Sequence, residues 1–125
     1  MATQLHLKIK RVYDAPSADD GIRYLVDRLW PRGLKKEELQ LAAWLKDASP
    51  SAQLRRRFGH DPQRWDEFQR AFAAELDANP SAWQPILDAA MRQKVTLLFG
   101  ARDTEHNNAV ALKSYLEARA RHTAK

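Results

Sequence analysis

The sequence predicts an α/β fold, a single small domain over residues 1–125 with a partly parallel sheet of about three to four strands packed with helices. Three observations carry this. The N-terminus alternates apolar and polar residues with a period of two, a short and almost wholly apolar run stands at residues 94–100, and apolar residues at spacings of three and four fill the stretch between and the tail. The order strand, strand, helices, strand, helix is that of an α/β domain.

Leu5, Leu7 and Ile9 alternate with His6, Lys8 and Lys10, the pattern of a strand with one wet face. Asp14 to Gly21 concentrates turn formers and reads as a surface loop. Ile22 to Leu29 is mostly apolar and predicts a second strand, ended by Pro31, which cannot donate to a ladder. Lys35 to Lys46, with Leu39, Leu41 and Trp44, predicts a short helix stopped before Pro50. Ser51 as cap and Gly59 as stop bracket two helical turns from Ala52 to Phe58. Asp61 as cap and Pro62 at the first helical position open a helix with Trp65, Phe68, Phe72 and Leu76 on one face. Asn79-Pro80 ends it, and Ser81 caps another helix with Trp83, Ile86, Leu87 and Ala90. Lys94 to Gly100 predicts a buried central strand. A terminal helix runs from Asp103 or Thr104 to Arg121, presenting Val110, Leu112, Tyr115, Leu116 and Ala120.

Composition excludes several chemistries. The 125 residues contain no cysteine, so there is no disulfide, thiolate nucleophile or Cys-ligated zinc. His6, His60, His106 and His122 are too scattered to make a metal motif, and no metal or cofactor is expected. No stretch has the length of a membrane span, and the N-terminal segment lacks the pattern of a leader, so a cytoplasmic protein without membrane contact is expected. A net charge of +5 favours anionic partners, a small molecule first and nucleic acid second, although 16 acidic residues among 21 basic ones also suit a plainly solvated surface.

Two charged turns concentrate the groups that can do chemistry. In Asp27-Arg28-Leu29-Trp30-Pro31-Arg32-Gly33, Arg28 and Arg32 offer planar forks for phosphate or carboxylate, Trp30 offers a stacking face, and Asp27 could orient or activate a group. The competing reading pairs Asp27 internally and uses Trp30 to fill core. In Arg102-Asp103-Thr104-Glu105-His106-Asn107-Asn108, at the carboxyl end of the buried strand, Arg102 could hold an anion, His106 could serve as acid or base, and Asn107 could orient a substrate. There the bland alternative is a helix cap facing water. His60, between a helix end and a helix cap, is a further ligand candidate. Three arginines in a row, Arg55 to Arg57, point in different directions on a helix, so at most one or two serve one patch and most of the run reads as a wet face. Gly-rich phosphate loops, nucleophile elbows and paired metal histidines are absent.

Arg11-Val12-Tyr13-Asp14, Asp27-Arg28-Leu29-Trp30-Pro31-Arg32-Gly33, Trp44-Leu45-Lys46, Phe58-Gly59-His60-Asp61-Pro62 and His106-Asn107 together resemble the YeaO-like branch of the family called domain of unknown function 488, over nearly the whole chain. The resemblance implies a small α/β domain and adds Arg11 to the ligand-binding candidates. Other branches are similar at the last strand but carry a Cys-His-Arg cluster there, where this chain has Phe99-Gly100-Ala101 and Glu105-His106-Asn107. A winged helix-turn-helix regulator, a label some relatives carry, does not fit a chain with a buried strand at residues 94–100.

Overall fold

A computed structural model describes residues 5–123; the first four residues of the segment read for a leader, and the side chain of His122, lie outside that description. One four-stranded sheet is formed by β1 (Leu7–Arg11), β2 (Ile22–Leu25), β3 (Ala43–Trp44) and β4 (Val95–Phe99), in the order β1-β4-β2-β3 with every pair parallel. Five helices accompany it among the described residues: α1 (Lys36–Leu39), α2 (Ala52–Phe58), α3 (Trp65–Asp77), α4 (Pro80–Arg92) and α5 (Asn108–Thr123). The α/β prediction and the buried central strand are borne out, since all five residues of β4 are buried between β1 and β2.

The pleat sorts the core. Val95, Leu97 and Phe99 of β4 face a large apolar layer that includes Phe58, Phe68, Phe72, Leu76, Trp83, Ile86, Leu112 and Leu116 from the helices. Leu98 points the other way, into a smaller cluster with Val12, Leu25 and Leu39, flanked by Trp30, Leu34, Leu41 and Trp44.

Several expectations are corrected. The loop from Asp14 to Gly21 is not all surface: a 3₁₀ turn at Ala18–Asp20 lowers Asp20 to complete burial. The second strand ends at Leu25 rather than Leu29, because Val26 leads straight into the turn that carries Asp27. Of the helix expected over Lys35 to Lys46 only Lys36–Leu39 forms. Gln40 turns left-handed at φ 48°, and the backbone instead pairs with β2, Ala42 N–H donating to Arg23 and Leu45 N–H to Leu25 at 2.8 Å each. Ladder bonds on an edge of the sheet outweigh a weak helical pattern. Asp61 does cap, accepting from Gln63 N–H, but the turn it caps is 3₁₀ and α3 begins at Trp65. Pro80 opens α4 rather than closing α3, so Ser81 lies inside the first turn. Ser51 and Gly59 bracket α2 as expected, with Ser51 Oγ accepting from Leu54 N–H at 3.1 Å and Gly59 left-handed.

Asp20 is placed by charge. Its carboxylate lies against the same sheet face as Lys8, Lys10 and Arg23, at 3.1 Å from each lysine and 2.5 Å from the guanidinium. Thr96 Oγ1 donates to its backbone carbonyl at 2.7 Å. Burial alone would raise its pKa, but the Ser17 N–H, both lysines and Arg23 outweigh that and hold the carboxyl far below the usual 3.8. Gly21, at φ +64°, turns the chain into β2 where any Cβ would collide with the Lys94 carbonyl.

A folded-state pKa below the unfolded value gives stability that is complete above pH 3.8 and is lost as pH falls through the lower folded value. Asp20→Asn should therefore cost roughly 3 kcal/mol at pH 7, the order expected for breaking a buried charge cluster. Urea denaturation of both proteins from pH 7 to pH 2 checks this: the gap between them should close in acid.

Candidate functional site

In a parallel sheet the carboxyl ends of all strands share one edge, and the helix N-termini that follow them collect there. Along that edge lies a cleft of about 630 Å³ lined by residues that follow β1, β2 and β4 and by α2. Tyr13 comes from the end of β1, Asp27 to Arg32 from the turn after β2, Gly100, Ala101 and His106 to Asn108 from the turn after β4, and Arg55, Arg56 and His60 from α2 and its exit.

The floor is tied together by Asp27. Its Oδ2 accepts from Gly100 N–H at 2.7 Å, and its backbone carbonyl accepts from Trp44 Nε1 at 2.7 Å. Asn108 donates to Val26 O at 2.7 Å, fastening the first residue of α5 to the same corner. Burial pushes the Asp27 carboxyl above its usual range, against the opposing pull of Gly100 N–H, Asn108 and the Arg55 charge.

Asp27 is the one carboxylate of the lining, and the other formally charged side chains there are cations. Arg28, Arg32, Arg55 and Arg56 all line the cleft. Arg28 is partly held, its Nε donating to Pro50 O at 3.3 Å. Arg55 Nε is buried with no hydrogen-bond partner among the described residues. Arg57, next in the run, points away and pairs with Glu67 at 2.6 Å, so the helical period divides the three arginines two to one.

Trp30 serves both readings offered for it. Its Nε1 donates to Leu34 O at 2.8 Å and its ring meets Trp44 edge-on at 5.3 Å, packing the smaller core cluster, while it also lines the cleft. His106 lines the cleft with its Nδ1 at 3.0 Å from Asp103 Oδ2 and its ring edge-on to Trp65 at 5.3 Å. The N–H groups of Glu105 and His106, and then the His106 ring, hold Asp103 below the usual carboxylate range. Asn107 is buried and caps α5: its Oδ1 accepts from Val110 N–H at 3.0 Å and its Nδ2 donates to Asp103 O at 2.9 Å. The terminal helix thus starts at Asn108, later than Asp103 or Thr104, because the Asp103 turn uses those residues.

His60 is exposed at the cleft and carries φ +57° directly after left-handed Gly59, a conformation uncommon for a residue with a Cβ. The structure brings together Asp27, Arg28, Trp30, Arg32, His60, His106 and Asn107. Arg11 and Arg102 are not among the lining residues. Arg11 braces from behind, its Nε donating to Ala101 O at 3.1 Å and its guanidinium standing 5.1 Å from the Tyr13 ring centroid, and Arg102 is exposed. Sequence reasoning did not single out Tyr13, Leu29, Arg55 or Arg56. The arginine run was the available signal, but its handedness on the helix could not be assigned without knowing which face α2 buries. Among the described residues no His, Asp or Glu cluster could hold a metal, and no helix is long and apolar enough to cross a membrane.

Residues 6–125 match a family model described as the inactive DUF488-N3 subclade. The chain is 39% identical over 114 residues to the uncharacterized protein YeaO of Escherichia coli, covering 91% of this chain and 99% of that one. It is 34% identical over 119 residues to uncharacterized proteins of Mycobacterium bovis and Mycobacterium tuberculosis, covering 95% of this chain and the whole of each. No solved structure matches.

Because a raised carboxyl pKa costs stability once pH exceeds it, Asp27→Asn should gain on the parent protein as pH rises from 3.8 through the folded value. Paired denaturation curves between pH 4 and pH 8 measure this, and a constant difference would mean that Asp27 is not perturbed. His60→Gly should stabilise the fold by about 1 kcal/mol by removing the left-handed penalty. A loss of stability instead would show that the imidazole is held by contacts that offset the strain.

Proposed function

The chain belongs to the inactive DUF488-N3 subclade, and from that premise we propose that it is a binding domain for a small anionic molecule, such as a phosphorylated metabolite, rather than an enzyme. The observation that carries this reading is the charge of the cleft. Four guanidinium groups line it against a single carboxylate, and that carboxylate is already occupied by Gly100 N–H. Guanidinium groups left without carboxylate partners in a concave, half-dry site favour phosphate or carboxylate, which they grip through paired N–H donors. The subclade's description as inactive favours holding over reacting, and the absence of cysteine fits that description, since it leaves no thiolate.

Within this reading Arg28, Arg32 and Arg55 provide the anion contacts, with His60 and Trp30 closing the sides. Asn107 acts at one remove, keeping α5 and its neighbour His106 in place through its cap bonds.

A catalytic role for Asp27 and His106 is the second reading, favoured by one observation. Asp103 occupies Nδ1 of His106, leaving Nε2 as the other ring nitrogen, and the same cleft holds a carboxyl of raised pKa, two groups that acid–base chemistry uses. A nucleic-acid partner would draw on the same arginines, but its affinity should fall steeply with salt as phosphates release counterions.

Differential scanning fluorimetry with phosphate, sugar phosphates and dicarboxylates should show a melting temperature that rises with ligand concentration. Arg28→Ala and Arg55→Gln should each weaken the binding of any such ligand about tenfold, the order expected for one charge-assisted contact. Binding unchanged in both variants would remove the cleft as the anion site. Turnover of a bound ligand that is abolished by His106→Ala would replace the binding reading with the catalytic one.

A further inference from the structure

The cleft is not only cationic, and its second character narrows the ligand beyond the anion-binding reading on which this step rests. Among the described residues three large hydrophobic side chains are exposed: Tyr13 at 44%, Leu29 at 66% and Met91 at 38%. The first two both line the cleft. Scattered exposed apolar residues need no explanation, but two beside a guanidinium wall do.

Tyr13 is held rather than loose. Its hydroxyl donates to Arg32 O at 3.0 Å, and Arg11 stands over its ring at 5.1 Å from the centroid. Arg11 is itself fixed by the Ala101 carbonyl at 3.1 Å. A ring braced before a ligand arrives loses little freedom on binding, which is the property of a stacking platform. A phosphate or sugar phosphate alone would satisfy the arginines and leave Tyr13 and Leu29 in water. A ligand that satisfies both halves has a flat, weakly polar body and an anionic end, and several guanidinium groups suit a phosphate better than a single carboxylate. A volume of about 630 Å³ is ample for one such molecule.

We infer that the cleft binds a free nucleoside phosphate, the base against Tyr13 and Leu29 and the phosphate on Arg28 and Arg55. Isothermal titration of the full chain with inorganic phosphate, ribose 5-phosphate, adenosine 5′-monophosphate, uridine 5′-monophosphate and a short single-stranded oligonucleotide tests it. The nucleotides should bind about tenfold tighter than ribose 5-phosphate, within the range of stacking a base on an aromatic ring. Tyr13→Ala should erase that increment and Tyr13→Phe should keep it, with ribose 5-phosphate affinity equal in all three. Leu29→Ser, at a position exposed enough to leave folding alone, should reduce the increment and decides the matter if Tyr13→Ala fails to fold. Equal affinity for nucleotides and ribose 5-phosphate would overturn the inference while leaving the anion site standing. No binding of any anion would overturn both. Binding of the oligonucleotide without the mononucleotides would overturn the inference in favour of a polymer ligand.

Discussion

The cleft depends on one hydrogen bond, from the Gly100 N–H at the end of β4 to the Asp27 carboxylate at the end of β2. The two strands run parallel and in register through Leu25 and Leu98, and then their continuations must part to leave a concavity. The Asp27 side chain spans the first step of that parting. A Cβ on Gly100 would come within 3.2 Å of the same oxygen, a tight contact that would push the carboxylate back by a few tenths of an ångström. The corner then has two further fastenings, Trp44 Nε1 to the Asp27 carbonyl and Asn108 to the Val26 carbonyl, which fix the edge strand and the terminal helix to it. The raised pKa of Asp27 is the cost of making a half-buried charged group the keystone, and the nearby Arg55 charge reduces that cost without cancelling it.

The two ends of the sheet use charge in opposite ways. At the amino end, Lys8, Lys10 and Arg23 converge on Asp20, and their attraction lowers its pKa despite complete burial. That assembly is near saturation in hydrogen bonds, leaving Arg23 Nη2 as its unpartnered atom. It takes the place of an apolar layer on a sheet face whose strands supply Lys8, Lys10, Arg23 and Thr96. At the carboxyl end cations again outnumber the carboxylate, but the four guanidinium groups stand around an open space instead of closing on Asp27. The same residue types therefore fill one end and leave the other open. Formal charge counts over the whole chain could not distinguish the two.

Much of the architecture was readable because it rests on period. The alternation at Leu5 to Lys10, the apolar run ending at Phe99 and the three-four spacing of Phe68, Phe72 and Leu76 each report a buried face directly, and each corresponds to an observed element. What escaped depends on contacts between distant segments. Residues 41–45 look helical alone, and only the vacant edge of β2 makes Ala43–Trp44 a strand. Asp20 sits among turn formers, so its burial shows only once β1 and β2 lie under it. The start of α5 moved to Asn108 because Asp103, Asn107 and three backbone N–H groups form a capped turn that propensity does not encode. For the candidate site, the two charged turns were visible as unusual compositions, and parallel topology is what makes them neighbours. Arg55 and Tyr13 were hidden for different reasons, one in a run of identical residues and the other at the end of a strand where an aromatic ring usually packs.

Two local costs stand at the cleft, and both bear on the binding reading proposed for it. A buried N–H without a partner, as at Arg55 Nε, costs about 1–3 kcal/mol, and a left-handed histidine costs about 1–2 kcal/mol. Small domains have about 5–15 kcal/mol of stability in all, so the two together are a material fraction. Both flank the same concavity, and both have simple remedies, an uncharged residue at position 55 and glycine at position 60. Water at the cleft would recover part of the first cost, yet it would do nothing for the second. Drift in an unused cleft would tend to remove such features, because each remedy is a single substitution that adds stability.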